Sequence, residues 1–403
     1  MAAHPPASVE DCDLFVVGAG LAGAAAAIGF AKVGFSVVSS GALERLGQGR
    51  TVALLGRSVE FLGDLGLREA IEATAAPLRS LRIVDDTGSL FAARPVEFHA
   101  AEIKSEAFGW NIANAELAGI LAAPLSATPN LSRVEDKVEA LDFAGEGALV
   151  RTADGRGYRA SLVVGADGRG SSARKAAGIG ASTHRYGQSA LTTFLAHSRP
   201  HGDFSTEFHT RQGPFTLAPL PGTGEHPFRS SLVWVMREDE ALRVAALGDA
   251  ALAGEIEDKA HGLLGATRIE GARGVFPLLR QTVARLTSTR LALVGDAAHA
   301  FAPIGAQGLN LGLRDVEGLV KHAKAARADR ADIGGETVLA RWAASRRPDI
   351  AVRTMAVNGL NRSLLADFAP VDMVRGFGLT ALRHIGPLRR AVMREGVAPA
   401  LGR

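Results

Sequence analysis

A single cysteine, Cys12, serves a chain of 403 residues. That scarcity excludes a disulfide framework and a cysteine-built metal site, and no metal is expected. An excess of one charge is also missing: 45 Lys and Arg stand against 42 Asp and Glu, a formal charge of +3. Without a Lys/Arg-dense run the chain has no field suited to nucleic acid. Nor is there an unbroken apolar run. The stretch 14–30 is interrupted by Gly18, Gly20 and Gly23, so it reads as strand, turn and helix and not as a membrane span. The opening "MAAHPPASVEDCD" lacks the charged-then-apolar pattern of a secretion signal. These absences predict a reducing, cytoplasmic setting, with Cys12 a small residue beside the first strand.

What is present is an ordinary globular composition, 47% hydrophobic and 22% charged. The length exceeds the ~100–200 residues of one domain. Two domains and a C-terminal extension are therefore predicted.

The segment "DLFVVGAGLAGAAAAIGFAKVGFSVVSS" predicts a strand at 14–17, a glycine turn, a helix from about Ala22 to Lys32 and a second strand at 35–39. Gly18 permits the tight turn, Gly20 lets a pyrophosphate approach the backbone, and Gly23 lets the helix pack closely on the sheet. The helix N-terminus offers free N–H groups to phosphate. A second strand of this kind is expected to end in Asp or Glu, which binds a ribose hydroxyl. Here it ends "VVSSGALE". Ser39, Ser40 and Gly41 occupy the place of the carboxylate and Glu44 follows. Either a serine or Glu44 takes the ribose, or the contact is absent.

Two more apolar strands end at a carboxylate. "SLVVGADGRGSSAR" carries Asp167 and Gly168, followed by Arg174, and "LALVGDAAH" carries Asp296. A nicotinamide dehydrogenase needs only the first unit. Three such turns suit a long dinucleotide lying extended across one sheet edge.

In this order GAGLAG, "GRTVALL" at 49–55, the Asp167–Gly168 pair and "GDAAH…PIGAQGLNLGLRD" resemble the FAD-dependent aromatic hydroxylases, or group A flavoprotein monooxygenases. The phrasing of the last motif and "ARWAASRRPD…NGLNRSL…MREG" are similar to the ubiquinone-biosynthesis hydroxylases. The resemblance covers nearly the whole chain. It implies an α/β fold: a Rossmann-like FAD-binding domain from 10–80, 110–180 and 286–335, an inserted, mostly antiparallel β-sheet substrate domain from 81–109 and 181–285, and a C-terminal helical region at 336–403.

Carried over by position, the resemblance assigns Gly18, Gly20 and Gly23 to the FAD pyrophosphate. Arg50 is placed near the pyrophosphate or ribityl chain, and Asp167 and Gly168 in the groove shared by FAD and NADH or NADPH. Asp296 holds the ribityl or pyrophosphate region. Pro303, Gly305, Ala306, Gln307, Gly308, Leu309 and Asn310 face the isoalloxazine, with Leu309 and Asn310 presenting N–H groups at the first helical turn. A helix N-terminus there suits the negative charge of reduced flavin. The family often has Arg or Gln in the helix entered at "NIANAELAGIL"; Asn114 and Ala115 stand there, and no contact is assigned. His299 is expected to be structural, for want of a carboxylate partner.

The implied chemistry is FAD reduction by NADH or NADPH, oxygen addition giving a C4a-hydroperoxyflavin, and attack by an electron-rich phenol ring. No side-chain nucleophile is needed, and no catalytic acid–base residue is named. Phe215, Leu217 and Trp234 are read either as lining an apolar substrate pocket or as ordinary sheet core. The C-terminal segment mixes apolar residues with Arg375, Arg383, Arg389, Arg390 and Arg394. It is read either as a solvated face or subunit contact, or as a surface for anionic lipid.

The leading expectation is ring hydroxylation of a prenylated phenol in ubiquinone biosynthesis, with O2 consumed. Its rivals are a same-fold hydroxylase of a small aromatic or polyketide, a prenyl reductase, and a low-turnover flavin-binding assembly partner. Expected partners are other ubiquinone-biosynthesis proteins, the inner membrane surface and a second copy of the chain.

Overall fold

Three of the apolar runs become neighbours in one sheet. In the computed structural model, which describes residues 9–43, 49–302, 305–366 and 368–397, the strand Val9–Val17 lies between Val37–Ser40 and Gly157–Gly165, all parallel. Leu291–Leu293 follows beyond Gly157–Gly165, also parallel. Val17 pairs with Ser40 and Gly165, and Gly165 pairs with Leu293, so these strands end on one line. That register brings the turns at Gly18, Asp167 and Asp296 to the carboxyl edge of a single sheet, where open α/β sheets bind ligands. Leu131–Val134 extends the sheet beyond Val37–Ser40.

Leu14, Phe15, Val16 and Val17 are all buried. Both parities of the run are buried, so both faces of this parallel sheet are covered. Cys12 lies within this strand, and burial, helped by nearby Glu10, Asp13 and Asp11, pushes its thiol up to about 12. It therefore stays protonated and inert. The helix Leu21–Lys32 packs against Asn114–Ala127 and Gln307–Ala328. Its small residues Ala24 to Ala27 are wholly buried, which lets these helices approach.

A second, eight-stranded sheet runs in the order His299–Ala300, Thr267–Val283, Ala181–His197, Arg229–Arg237, Gly213–Leu220, Phe204–Thr210, Ser80–Asp85 and Val96–His99. Its pairs are antiparallel except for Phe204–Thr210 with Ser80–Asp85. The edge strand His299–Ala300 comes from the third glycine motif, so that motif is stitched directly into the second sheet. One face of this sheet is covered by the helices Glu238–Ala245 and Asp249–Lys259. Phe215, Leu217 and Trp234 belong to that covered face, each 4% exposed or less. They form sheet core, and their expected place on the substrate pocket is corrected: Thr216, Ala218 and Val233, one position away, face the cavity. Strand residues alternate faces, and the helices claim the parity that carries Phe215 and Leu217.

Helices Glu336–Leu365, Ala369–His384 and Gly386–Val397 close the C-terminus. The five arginines singled out there do not share one face. Arg375 is buried on Asp372 at 2.8 Å, and Arg389 grips Glu102 at 2.6 Å while lying 4.7 Å over the Phe98 ring. Only Arg383, Arg390 and Arg394 are exposed. The last two helices are thus pinned onto the second sheet.

Candidate active site

A cavity of about 1090 Å³ lies between the carboxyl edge of the first sheet, the open face of the second and the C-terminal helices. Its floor begins at the first turn. Gly18 has φ +101°, and a Cβ there would stand 2.7 Å from the Ala166 carbonyl oxygen. A side chain is excluded on both counts. Gly20 lines the cavity with nothing within 4 Å of where its Cβ would be. Gly23 is absent from the wall; its missing side chain lets the helix close on the Gly18 carbonyl. It shapes the cofactor turn from behind and does not touch the cavity.

Asp167 caps the short helix Ser172–Ala176. Its Oδ2 accepts from the Ser172 N–H at 2.6 Å, the Ser172 hydroxyl at 2.8 Å and the Ala173 N–H at 3.2 Å. Oδ1 is buried without a partner, and Gly168 lines the cavity beside it. Arg174 joins two of the motifs, donating to the Ala297 carbonyl at 2.9 Å and the Arg169 carbonyl at 2.8 Å.

Arg50 enters from the loop before strand Thr51–Leu55, its guanidinium 4.7 Å over the Phe276 ring. Burial lowers its pKa, opposed by Asp296 and reinforced by Arg169. Asp296 opens onto the cavity but is otherwise ringed by protein. That burial raises its pKa, against the pull of His299, Arg169 and Arg50. Arg169, which the sequence reading did not single out, supplies cationic charge to both residues. A raised carboxyl pKa means that the fold binds this proton more tightly than the unfolded chain does. Stability contributed by the protonated form is therefore lost as pH rises through the folded pKa. Asp296→Asn is expected to raise the Tm of the flavin-free protein at pH 7, with the gain shrinking as pH falls. Calorimetry across pH tests this; an equal or lower Tm at pH 7 would remove the argument.

The third motif turns through Gly305 and Ala306, both with positive φ (+63° and +54°). A left-handed alanine is unusual and marks a held turn. Helix Gln307–Ala328 starts directly after it, so its free N–H groups are those of Gln307, Gly308 and Leu309. All three residues line the cavity. Gln307 donates to the Gly305 carbonyl at 2.7 Å, and its Oε1 is buried without a partner. Pro303 lies outside the described residues. Asn310, expected at the ring, is fully buried instead. Its amide accepts from Leu55 N–H at 2.9 Å and donates to the Ala53 carbonyl at 2.7 Å, latching the helix to strand Thr51–Leu55. As the fourth helical residue its N–H falls within the helical ladder.

The second-strand serines do not reach the cavity. Ser39 and Ser40 are buried, and the Ser40 hydroxyl donates to the Val16 carbonyl at 3.3 Å. Glu44 lies outside the described residues. Asn114, to which no contact was assigned, lines the cavity with a buried Oδ1 that has no partner. Its only signal in the sequence is its place as first residue of the helix after a strand.

His299 does have a carboxylate partner: its Nε2 lies 2.6 Å from Asp315 Oδ2, on helix Gln307–Ala328, with both side chains 1% exposed. The same oxygen accepts from the Gly295 N–H at 3.2 Å. Asp315 thereby fixes the turn that carries Asp296.

This cradle was tested against an extended dinucleotide. Gly18 and Gly20 leave bare backbone, the start of helix Gln307–Ala328 offers free donors, and buried oxygens of Asp167, Asn114 and Gln307 have no protein partner. Buried polar atoms demand partners, and the residues fit the group. Fold and cleft together define a flavoprotein of the FAD-dependent monooxygenase class, an oxidoreductase.

The chain belongs to the family described as FAD binding domain, whose model matches residues 11–350. It is 35% identical to the ubiquinone hydroxylase UbiL of Rhodospirillum rubrum, over 96% of this chain and 89% of that protein. It is 29% identical to the 3-demethoxyubiquinol 3-hydroxylase of Escherichia coli, over 96% and 98%. The crystal structure of p-nitrophenol 4-monooxygenase PnpA from Pseudomonas putida superposes with a TM-score of 0.76 at 18% identity, covering 96% of this chain and 98% of that one. At that identity the likeness concerns the fold.

Proposed function

We propose that this protein hydroxylates the aromatic ring of a prenylated phenol in ubiquinone biosynthesis, using FAD, O2 and NADH or NADPH. The observation that carries this reading is the apolar lining of the cavity. Besides the glycine turns, its wall includes an apolar pouch of Leu81, Ile83, Phe98, Leu379, Leu382 and Met393, residues of one packed cluster. A small aromatic acid would leave such a pouch unfilled, whereas an isoprenoid tail matches its apolar wall. The names of the relatives from R. rubrum and E. coli support the same pathway.

Bound FAD supplies the electron transfer and oxygen activation. The chain's own residues hold and shield it. The backbone at Gly18 and Gly20 takes the pyrophosphate, with Arg50 and Asp296 beside the pyrophosphate and ribityl chain and Asp167 and Gly168 at the groove. Gln307, Gly308 and Leu309 present first-turn N–H donors and the positive end of a helix to an anionic ring. The apolar pouch excludes water, which strengthens every polar contact inside.

A substrate with a prenyl tail resides in lipid, and the outer face of the last two helices suits that source. Met373, Val374 and Phe377 are exposed there, and the exposed charges among the described residues 368–397 are Arg383, Arg390 and Arg394. Among the described residues no helix is long and apolar enough to cross a membrane. The reading is of a cytoplasmic protein that touches the inner membrane and works beside other enzymes of the pathway, as one copy or several. Deletion in the native host followed by mass spectrometry of quinone intermediates tests it. Build-up of an under-hydroxylated prenylphenol is expected; an unchanged quinone pool, with no redundant enzyme present, rejects the proposal.

A further inference from the structure

The histidines and carboxylates form no recognisable catalytic grouping along the sequence, but the fold makes one inside the cavity. Strand Phe204–Thr210 turns Ser205, Glu207 and His209 toward the cavity, while Thr206 and Phe208 face the opposite way. Glu207 Oε1 lies 2.8 Å from His209 Nε2, and Oε2 accepts from the Thr216 hydroxyl at 3.3 Å. With a carboxylate opposite, Nε2–H is the donor. The His209 side chain is 4% exposed and that of Glu207 20%, so the histidine lies behind and the carboxylate in front.

Glu207 is half-buried without an arginine beside it, unlike three glutamates of similar burial. Glu102, Glu270 and Glu317 are each neutralised by an arginine, Arg389, Arg229 and Arg57. Among the described residues no lysine or arginine forms an ion pair with Glu207. A carboxylate offers about four acceptor positions, and His209 and Thr216 fill two. The carboxylate opens onto the cavity, so its spare acceptor positions are available to a donor on a bound molecule.

Its position identifies the donor. Glu207 is paired with Thr216 on one side and Ile83 on the other, so it stands where the polar part of the cavity meets the aliphatic pouch. A ring that sends its tail along Leu81 and Ile83 brings its hydroxyl to this carboxylate.

We propose that Glu207, held by His209 and Thr216, accepts the hydrogen bond of the substrate's phenolic hydroxyl and so aims its ring. The inference rests on the prenylated-phenol reading and names the group through which that substrate is recognised. A charge-assisted O–H···O⁻ bond is about twice as strong as a neutral one. It shifts electron density onto the hydroxyl oxygen and into the ring that must attack oxygen. No proton need leave the substrate for this effect. His209 is a positioning residue: it fixes the carboxylate and does not reach the substrate.

The test uses the FAD-loaded protein with 2-geranylphenol and its methyl ether, read by perturbation of the flavin spectrum and by stimulated NAD(P)H oxidation. The unsubstituted protein is expected to bind the phenol roughly 10- to 100-fold more tightly than the ether, the size of a hydrogen bond to a charged group. Glu207→Gln should bring the two within a few fold by weakening the phenol alone. His209→Leu should do the same, while His209→Gln, which keeps an N–H donor, restores most of the preference. Unchanged flavin content and Tm show that each variant is folded. Undiminished preference in Glu207→Gln would overturn the inference and leave the prenylphenol reading intact. If the unsubstituted protein bound neither ligand, the substrate reading would fall and the role of Glu207 with it.

Discussion

Arg346→Leu is expected to cost about 3–5 kcal/mol of folding stability, the usual result of removing one member of a buried ion pair. Arg346 is 1% exposed and holds two carboxylates, Asp315 at 2.9 Å and Asp349 at 2.8 Å. Burial disfavours its charge, but Asp315 and Asp349 outweigh that cost and raise its pKa. Asp315 is itself held below the usual carboxylate range: burial pushes the other way, and His299 and Arg346 prevail. Leucine would leave both aspartates short of a cation in a region that water does not reach. Asp349 would keep Arg314 at 2.9 Å and Arg353 at 3.6 Å, whereas Asp315 would keep only His299. The damage should also reach the cofactor, because Asp315 anchors Gly295 and His299 beside Asp296. Chemical denaturation should show an earlier midpoint, together with lower flavin retention. A midpoint equal to that of the unsubstituted protein would show that the network is dispensable.

Gly18→Ala is expected to weaken FAD binding roughly 100-fold, since a non-glycine residue in a forbidden backbone region costs about 1–3 kcal/mol, and about 1.4 kcal/mol is tenfold. At φ +101° the strain comes first, and the collision with the Ala166 carbonyl adds to it. The turn would have to open, carrying the N-terminus of helix Leu21–Lys32 away from the cavity. Gly119→Ala is the control. It sits mid-helix in Asn114–Ala127 with nothing within 4 Å of its Cβ position, and should gain a fraction of a kcal/mol up to ~1 from helix propensity. The ratio of flavin to protein absorbance after purification reads both variants. Full flavin in Gly18→Ala would falsify the assignment of this turn.

Several site residues were legible because their signal is local. A strand running into a glycine turn marks a sheet edge, two of the three such turns carry a carboxylate, and three of them along one chain imply a long dinucleotide. Asp167, Asp296 and the Gly305–Leu309 loop all line the cavity. Other residues misled for equally physical reasons. Asn310 is polar and next to the loop, yet its amide is consumed by strand Thr51–Leu55, over 250 positions away in sequence. His299 has no carboxylate beside it in the sequence, and its partner Asp315 follows sixteen residues later in the same motif. Helical spacing places such a partner only once the helix start is known.

The sequence alone determined the order of glycine turns, the dinucleotide class and the Ala-rich first helix, because each depends on φ, ψ and apolar period over a few residues. Tertiary structure decided which side of the second sheet faces the cavity. Along 213–220 apolar residues occur on both parities, and only the helices Glu238–Ala245 and Asp249–Lys259 claim Phe215 and Leu217 for the core. The same packing turned Arg375 and Arg389 inward and put Glu207 with His209 on the cavity wall. A side chain's neighbours across a sheet come from distant segments, so its task is fixed only when those segments are in place.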